Sequence, residues 1–242
     1  MWDNPRLLHA AANVLAGLAV ALFLLAAAQW LSRSALFPLR EVTVLGALQE
    51  TSGREIGRAL EPAVAGNFLA ADLDSVRAAL ERLPWVRRVQ VRRVWPDRLE
   101  VALEEHVALA RWGDSDLVNT HGERFTAPFD SGARARLPLF GGPAGSEAEV
   151  ARRYRRFAAQ LAPLGEAPER VLLTSRHAWQ LRLTGGLTLE LGRDLAREPV
   201  ERRLARFVAA YPLTLGRIEQ RHEYVDLRYP NGFSLRVPDL KG

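Results

Sequence analysis

Residues 84–103 read Pro84-Trp-Val-Arg-Arg-Val-Gln-Val-Arg-Arg-Val-Trp-Pro-Asp-Arg-Leu-Glu-Val-Ala-Leu103. Apolar and polar side chains alternate in two runs, Arg88–Val94 and Arg98–Leu103, on either side of Trp95-Pro96-Asp97. Alternation with period two marks half-buried strands, and Pro-Asp favours a turn, so the stretch predicts a β-hairpin. The odd-numbered Val89, Val91, Leu99, Val101 and Leu103 share the buried face. A three-residue loop then sets Val91 opposite Val101 and Val89 opposite Leu103. On the solvent face it sets Arg92 opposite Glu100 and Arg88 opposite Glu104. Opposite charges facing each other across a ladder contribute roughly 0.2–1 kcal/mol each. The arginines thus have carboxylates to meet, which argues for a charge-paired sheet face over a nucleic-acid surface. Trp85 and Trp95 flank the strands as packing residues.

Upstream of the hairpin, Arg40-Glu-Val-Thr-Val-Leu45 alternates and stops at Gly46, a strand signal. Ser52 followed by Glu55 is a capping box, with Ile56 and Leu60 giving a short helical face. Asp72 reads as an N-cap; Leu73, Val76, Leu80 and Leu83 recur at helical spacing until Pro84 ends the helix. The order is strand, helix, helix, strand, strand, over residues 37–105.

The chain has 242 residues, 48% of them apolar and 25% charged, with a net charge of +5 and no cysteine. A packed core is expected, while disulfides, thiolate metal sites and cysteine nucleophiles are excluded. Residues 10–31 carry no charge, and only Asn13 and Gln29 are strongly polar. A bilayer core needs about 20 such residues in a helix. The run is apolar all round and longer than a typical signal-peptide core, so a transmembrane helix over 10–31 is expected, behind a short cytoplasmic tail at 1–9. Ala26-Ala27-Ala28 keeps a cleaved signal peptide open as the alternative. Charge does not orient the segment, since Arg6 precedes it and Arg33 and Arg40 follow.

Residues 106–237 form a second unit. Val107–Trp112 is extended, and Leu117–Phe125 reads as a hairpin about His121-Gly122. Pro128–Gly145, rich in Gly and Pro, is expected to wrap the surface. Ser146 and Glu149 suggest another capping box. Val150, Tyr154, Phe157 and Leu161 form a helical face, with Arg152, Arg153, Arg155 and Arg156 expected on solvated sides. Three strand runs follow, Val171–Thr174, Trp179–Leu183 and Leu187–Leu191, the last two joined by Gly185-Gly186. A helix begins near Pro199, with Val200, Leu204, Phe207, Val208 and Tyr211 on its apolar face. Glu223–Tyr229 and Phe233–Val237 alternate around Pro230-Asn231-Gly232, a hairpin turn. Residues 238–242 are a tail. The fold class expected is α+β: the membrane helix, the β-α-α-β-β unit, and a mostly antiparallel β-domain with two long helices.

No constellation for catalysis stands out. The five histidines are scattered, and nucleophile-elbow, P-loop and dinucleotide-binding patterns are absent from the sequence. Asp114, Asp116, His121 and Glu123 are close in sequence but read as polar loop residues. Glu104 and Glu105 fall on opposite faces of a strand and make no acid/base pair. A non-enzymatic protein without metal or cofactor is expected. The last hairpin is then the place for binding, because an edge strand can accept a partner's strand; an ordinary solvated edge protected by Arg228 and Arg236 is the alternative that the residues alone leave open.

Val42-Thr-Val-Leu-Gly46, Asn67-Phe-Leu69 before Asp72, Leu83-Pro-Trp-Val86 and Arg93-Val-Trp-Pro96 resemble the FtsQ/DivIB family of POTRA-containing bacterial division proteins. Leu117-Val-Asn119 and the second unit extend the resemblance over most of residues 10–237. It implies a POTRA domain at 37–105 and a β-domain at 106–237. It also implies a single-pass inner-membrane divisome protein with a cytoplasmic N-terminus and a periplasmic bulk. FtsB and FtsL are implied as partners at the C-terminal edge strand, with FtsK, FtsW and FtsI as further division partners, and no nucleic acid. Carried over position by position, Arg228 and Tyr229 are partner contacts, Asn231 and Gly232 form the turn, and Arg176 ahead of Trp179-Gln180 is a further basic contact. Val237 stands where the family has an aromatic residue, and Phe233 supplies apolar area nearby. A POTRA-bearing component of secretion or outer-membrane assembly is the alternative, as is an enzyme released by cleavage after Ala28.

Overall fold

The computed structural model describes residues 5–33, 38–64, 67–214, 223–229 and 232–236. Helix α1 (Pro5–Arg33) begins five residues ahead of the expected span. Within it lies His9–Leu31, 23 residues of mean hydropathy 2.3, in whose most apolar stretch no residue is buried. That is the length and character a bilayer-crossing helix requires. The structure divides into two compact units, Met1–Glu105 and His106–Gly242.

In the first unit β1 (Glu41–Leu45) is followed by α2 (Gly53–Leu60), α3 (Leu73–Leu80), β2 (Val86–Val94) and β3 (Arg98–Glu105). The sheet order is β1-β3-β2, with β1 parallel and β2 antiparallel to β3. Both helices start as their sequences dictate. Ser52 and Glu55 form a reciprocal capping box, and the Asp72 side chain accepts the N–H groups of Asp74 and Ser75. Ile56, Leu60, Val76 and Leu80 pack on Val86, Val89, Val101 and Leu103 to make the core.

The hairpin has the expected register: Val91 faces Val101, Val89 faces Leu103, Arg92 faces Glu100 and Arg88 faces Glu104. Arg92 and Glu100 pair at 2.7 Å. Glu104, however, takes its ion pair from Arg87, at 2.7 Å, because a register shift between Val86 and Arg88 turns Arg87 toward it. Trp85 is buried, but Trp95 at the hairpin tip is 67% exposed, and its ring meets Phe68 edge-on. Glu105 has an unexpected task. Its carboxylate accepts the N–H groups of Gln49, Thr51 and Glu50 at 2.7, 2.7 and 3.2 Å, fastening the loop ahead of α2. Gly46, at φ +144°, is obligatory: a Cβ there would lie 2.2 Å from the Leu103 carbonyl oxygen.

The second unit is built on one nine-stranded sheet. Its strands are β4 (Ala108–Trp112), β5 (Asp116–Asn119), β6 (Arg124–Phe125), β7 (Leu139–Gly141), β8 (Pro168–Leu173), β9 (Ala178–Leu183), β10 (Thr188–Arg193), β11 (Tyr224–Asp226) and β12 (Ser234–Arg236). They lie in the order β12-β11-β10-β9-β8-β7-β4-β5-β6. Antiparallel pairs prevail, but β4·β7, β7·β8 and β10·β11 are parallel. A parallel neighbour needs a crossover. Helix α5 (Glu147–Leu161) carries the chain from β7 to β8, and α6 (Val200–Ala210) lies between β10 and β11 in sequence. The two long helices share one core with the sheet, in which Phe157 meets Trp179 edge-on at 5.8 Å.

Three expectations for this unit need correction. Residues 128–145 do not merely wrap the surface. They contain α4 (Ser131–Arg136) and then β7, whose buried Phe140 sits in mid-sheet. Ser146 makes no capping bond, since its backbone (φ −91°, ψ 2°) is not extended and its hydroxyl donates to the Pro143 carbonyl at 2.6 Å. The α5 arginines are not all solvated. Arg153 pairs with Asp194 and Glu201 and lies 5.6 Å from the Trp179 ring centre, and Arg155 donates to the Thr120 carbonyl. These bonds fasten α5 to the loop before α6, to α6 itself and to the β5–β6 turn.

Candidate partner-binding site

Strand β12 ends the sheet and pairs with β11 on one side: Tyr224 with Arg236, Val225 with Leu235, Asp226 with Ser234. Among the described residues no strand pairs with its other side. Leu235 is 39% exposed on this edge. Helix α6 supports the hairpin from below. The Phe207 ring meets Phe233 edge-on at 6.1 Å, and Arg206 donates to the Tyr229 carbonyl at 3.3 Å. Arg206 is itself steadied by Glu198 at 2.7 Å.

Of the six expected contact residues, five are described, and Asn231 lies outside the described residues, as does Val237. Arg176, on the β8–β9 turn, and Arg228, after β11, are 52 positions apart in sequence yet line one depression, together with Glu190, Gly192 and Arg203. Gly232 and Phe233 line a second, more apolar hollow with Phe207, Ala210 and Leu227. Tyr229 stands between these groups in sequence and is 53% exposed.

The chemistry of the first depression depends on residues that the sequence reading passed over. Arg228 grips Asp226 through Nε and Nη2, at 2.6–3.0 Å. That bond holds the Asp226 carboxyl below its ordinary value and pushes the guanidinium still higher. Glu190 on the neighbouring strand is shifted the other way: burial raises its pKa, the Arg228 charge opposes this, and Asp226 adds to it. Arg203 is buried and donates to the Leu191 and Arg193 carbonyls at 2.6 and 2.8 Å. Gly192, at φ +72°, leaves room for Arg228: a Cβ would stand 2.8 Å from its Cγ. Asp226 and Arg228 were legible as an i, i+2 pair on one strand face. Glu190 and Arg203 were not, because only the pairing of β10 with β11 and the packing of α6 bring them there.

Elsewhere, two of the acidic residues noted in the sequence have local protein partners. Asp116 accepts from Thr126 at 2.6 Å and from Arg124 at 2.7 Å, and Glu123 accepts from Asn119 at 2.6 Å. Such a cluster is a hydrogen-bonded turn. The described residues here present an open strand edge, an exposed tyrosine, two arginines lining one depression and a separate apolar hollow.

Comparison with known proteins agrees with the architecture. Over 241 residues the chain is 41% identical to the protein named "Cell division protein FtsQ" of Burkholderia pseudomallei, spanning 100% of this chain and 96% of that one. The chain belongs to the FtsQ family. A family model for the FtsQ/DivIB C-terminal region matches residues 110–228, and one for the FtsQ-type POTRA domain matches residues 37–106. Another FtsQ, from Nitrosospira multiformis, is 41% identical over 98% of this chain and 99% of its own. The FtsQ of Escherichia coli is 34% identical over 84% of this chain and 74% of its own.

Proposed function

We propose that this FtsQ-family cell-division protein acts as a non-enzymatic scaffold that captures FtsB, with FtsL, by β-strand addition at β12. The observation that carries the reading is the open edge of β12 at the end of the nine-stranded sheet. An added strand gains affinity from main-chain hydrogen bonds, and selectivity comes from side chains flanking the edge. Arg176 and Arg228 supply positive charge for an acidic partner segment, Tyr229 and Phe233 supply apolar area, and Asn231 and Gly232 complete the set of partner contacts that the family resemblance implies. Because Arg228 is already held by Asp226, it is oriented before a partner arrives, which lowers the ordering cost of binding.

Helix α1 anchors the scaffold in the inner membrane with the N-terminus in the cytoplasm. The POTRA and β-domains then lie in the periplasm, where the POTRA domain meets further division proteins such as FtsK, FtsW and FtsI. Replacing Tyr229 by Lys tests the edge-strand reading. The side chain is half exposed, so the variant should fold, as circular dichroism would verify. Co-purification of FtsB and FtsL from membranes should drop at least tenfold, the equivalent of about 1.4 kcal/mol. Undiminished recovery of both partners would sink the assignment.

A further inference from the structure

The exposed tryptophan at the hairpin tip is unused by the edge-strand reading. Trp95 is 67% exposed, and Leu69, on the loop before α3, is 39% exposed. The two belong to one assembly. Phe68 meets the Trp95 ring edge-on at 6.3 Å, and Arg93 donates to the carbonyls of Phe68 and Ala71 at 3.1 and 2.6 Å, fixing the loop to β2.

This assembly lies at the end of the membrane span. The Asn67 amide donates to the carbonyl of Leu31, the last residue of the span, at 2.9 Å. Pro38 bridges to Asn67, and the Arg40 N–H bonds the Asp97 carbonyl in the hairpin turn at 2.9 Å. The chain's own length enforces the proximity. Seven residue steps separate Leu31 from Pro38, at most about 25 Å of extended chain.

The composition also suits a bilayer surface. Tryptophan prefers the boundary between hydrocarbon and headgroups, where its ring is buried and its N–H stays wet. Arg40 and Arg98, both exposed, stand beside the tip, with Arg40 only loosely paired to Asp97 at 3.8 Å. Such cations are drawn to anionic headgroups near the surface.

We propose that the Trp95 hairpin tip and Leu69 form a second membrane contact, seating the POTRA domain in the headgroup region beside its own transmembrane helix. The occupant is the lipid surface of the leaflet on the folded side of the span. A helix that ends in the bilayer would thereby hold the POTRA domain close to the surface, with its tilt restricted.

Depth-dependent quenching tests this on the full chain in vesicles of phosphatidylethanolamine and phosphatidylglycerol. With Trp2→Phe and Trp30→Phe introduced, the other tryptophans, Trp85, Trp112 and Trp179, are all buried in the folded units. Acyl chains brominated near the headgroup should then remove most of the Trp95 emission, and that loss should vanish on Trp95→Ser. Exchanging phosphatidylglycerol for phosphatidylcholine should lessen the quenching. Emission from Trp95 unchanged by brominated lipid would overturn the proposal and leave the tip to solvent or a protein. The result is independent of FtsB capture, which Trp95→Ser should leave intact if both readings hold.

Discussion

Two carboxylates beside Arg228 are shifted in opposite senses from their ordinary pKa values. Asp226 is held below its ordinary value first by the Arg228 side-chain bond, so its contribution to stability is present above that ordinary value and fades as pH falls through the lowered one. Glu190 is raised above its ordinary 4.5, first by burial. A raised carboxyl costs nothing below the unfolded value and destabilises the fold increasingly as pH rises through 4.5 to the raised value. Replacing Glu190 by Gln should therefore raise the thermal midpoint at neutral pH, with the advantage over the parent chain disappearing below about pH 4. The amide keeps an oxygen for the Gln180 donor, 3.3 Å away, so packing should survive. A thermal midpoint at neutral pH no higher than the parent's would show that burial of this carboxylate is not costly. Glu190 was illegible in the sequence as part of this group. It reads there as one polar position in an alternating strand, and its neighbours come from a strand more than 30 residues later.

Strand β7 carries more than its three residues suggest. It lies between β4 and β8, so its parallel pairings join the early and late parts of the sheet. Phe140 is its buried side chain, 5.0 Å from Tyr154 of α5. Phe140→Ala should cost about 3–5 kcal/mol, measured by urea unfolding of the full chain in detergent. A loss below 1 kcal/mol would mean that the seam is not structurally important. The surrounding Gly- and Pro-rich composition concealed this strand, and three residues are too few for alternation to register. The opening hairpin was the opposite case. Each of its strands is long enough for period two to be read, and its charge pairs fixed the register. Even so, the partner of Glu104 changed from Arg88 to Arg87, because a bulge leaves no mark in a pattern of hydrophobicity.

At the scale of the whole molecule, the first of the two units opens with an apolar helix, and the functional reading requires that helix to be retained. Val14–Trp30 is exposed throughout its apolar length, so this surface calls for lipid. Mass spectrometry of the chain extracted from membranes should find α1 intact, and alkaline carbonate should leave the protein in the pellet. A mature species beginning after Ala28 would replace the anchor by a signal peptide. It would also remove the tether on which the Trp95 membrane contact rests, while leaving the β12 edge untouched.

The sequence by itself determined the local elements and the family: the long apolar run, the caps at Ser52 and Asp72, and the register of the hairpin from Arg88 to Glu104. Each depends on residues near one another in the chain, where side-chain period, caps and turn chemistry act directly. Only the tertiary structure decided that β7 enters the sheet and that Arg176 and Arg228 line one depression. It alone brought Glu190 and Arg203 to the edge hairpin and left Trp95 exposed beside the span. Those outcomes follow from strand order and crossover packing, which depend on how distant segments bury one another, and local pattern does not encode that.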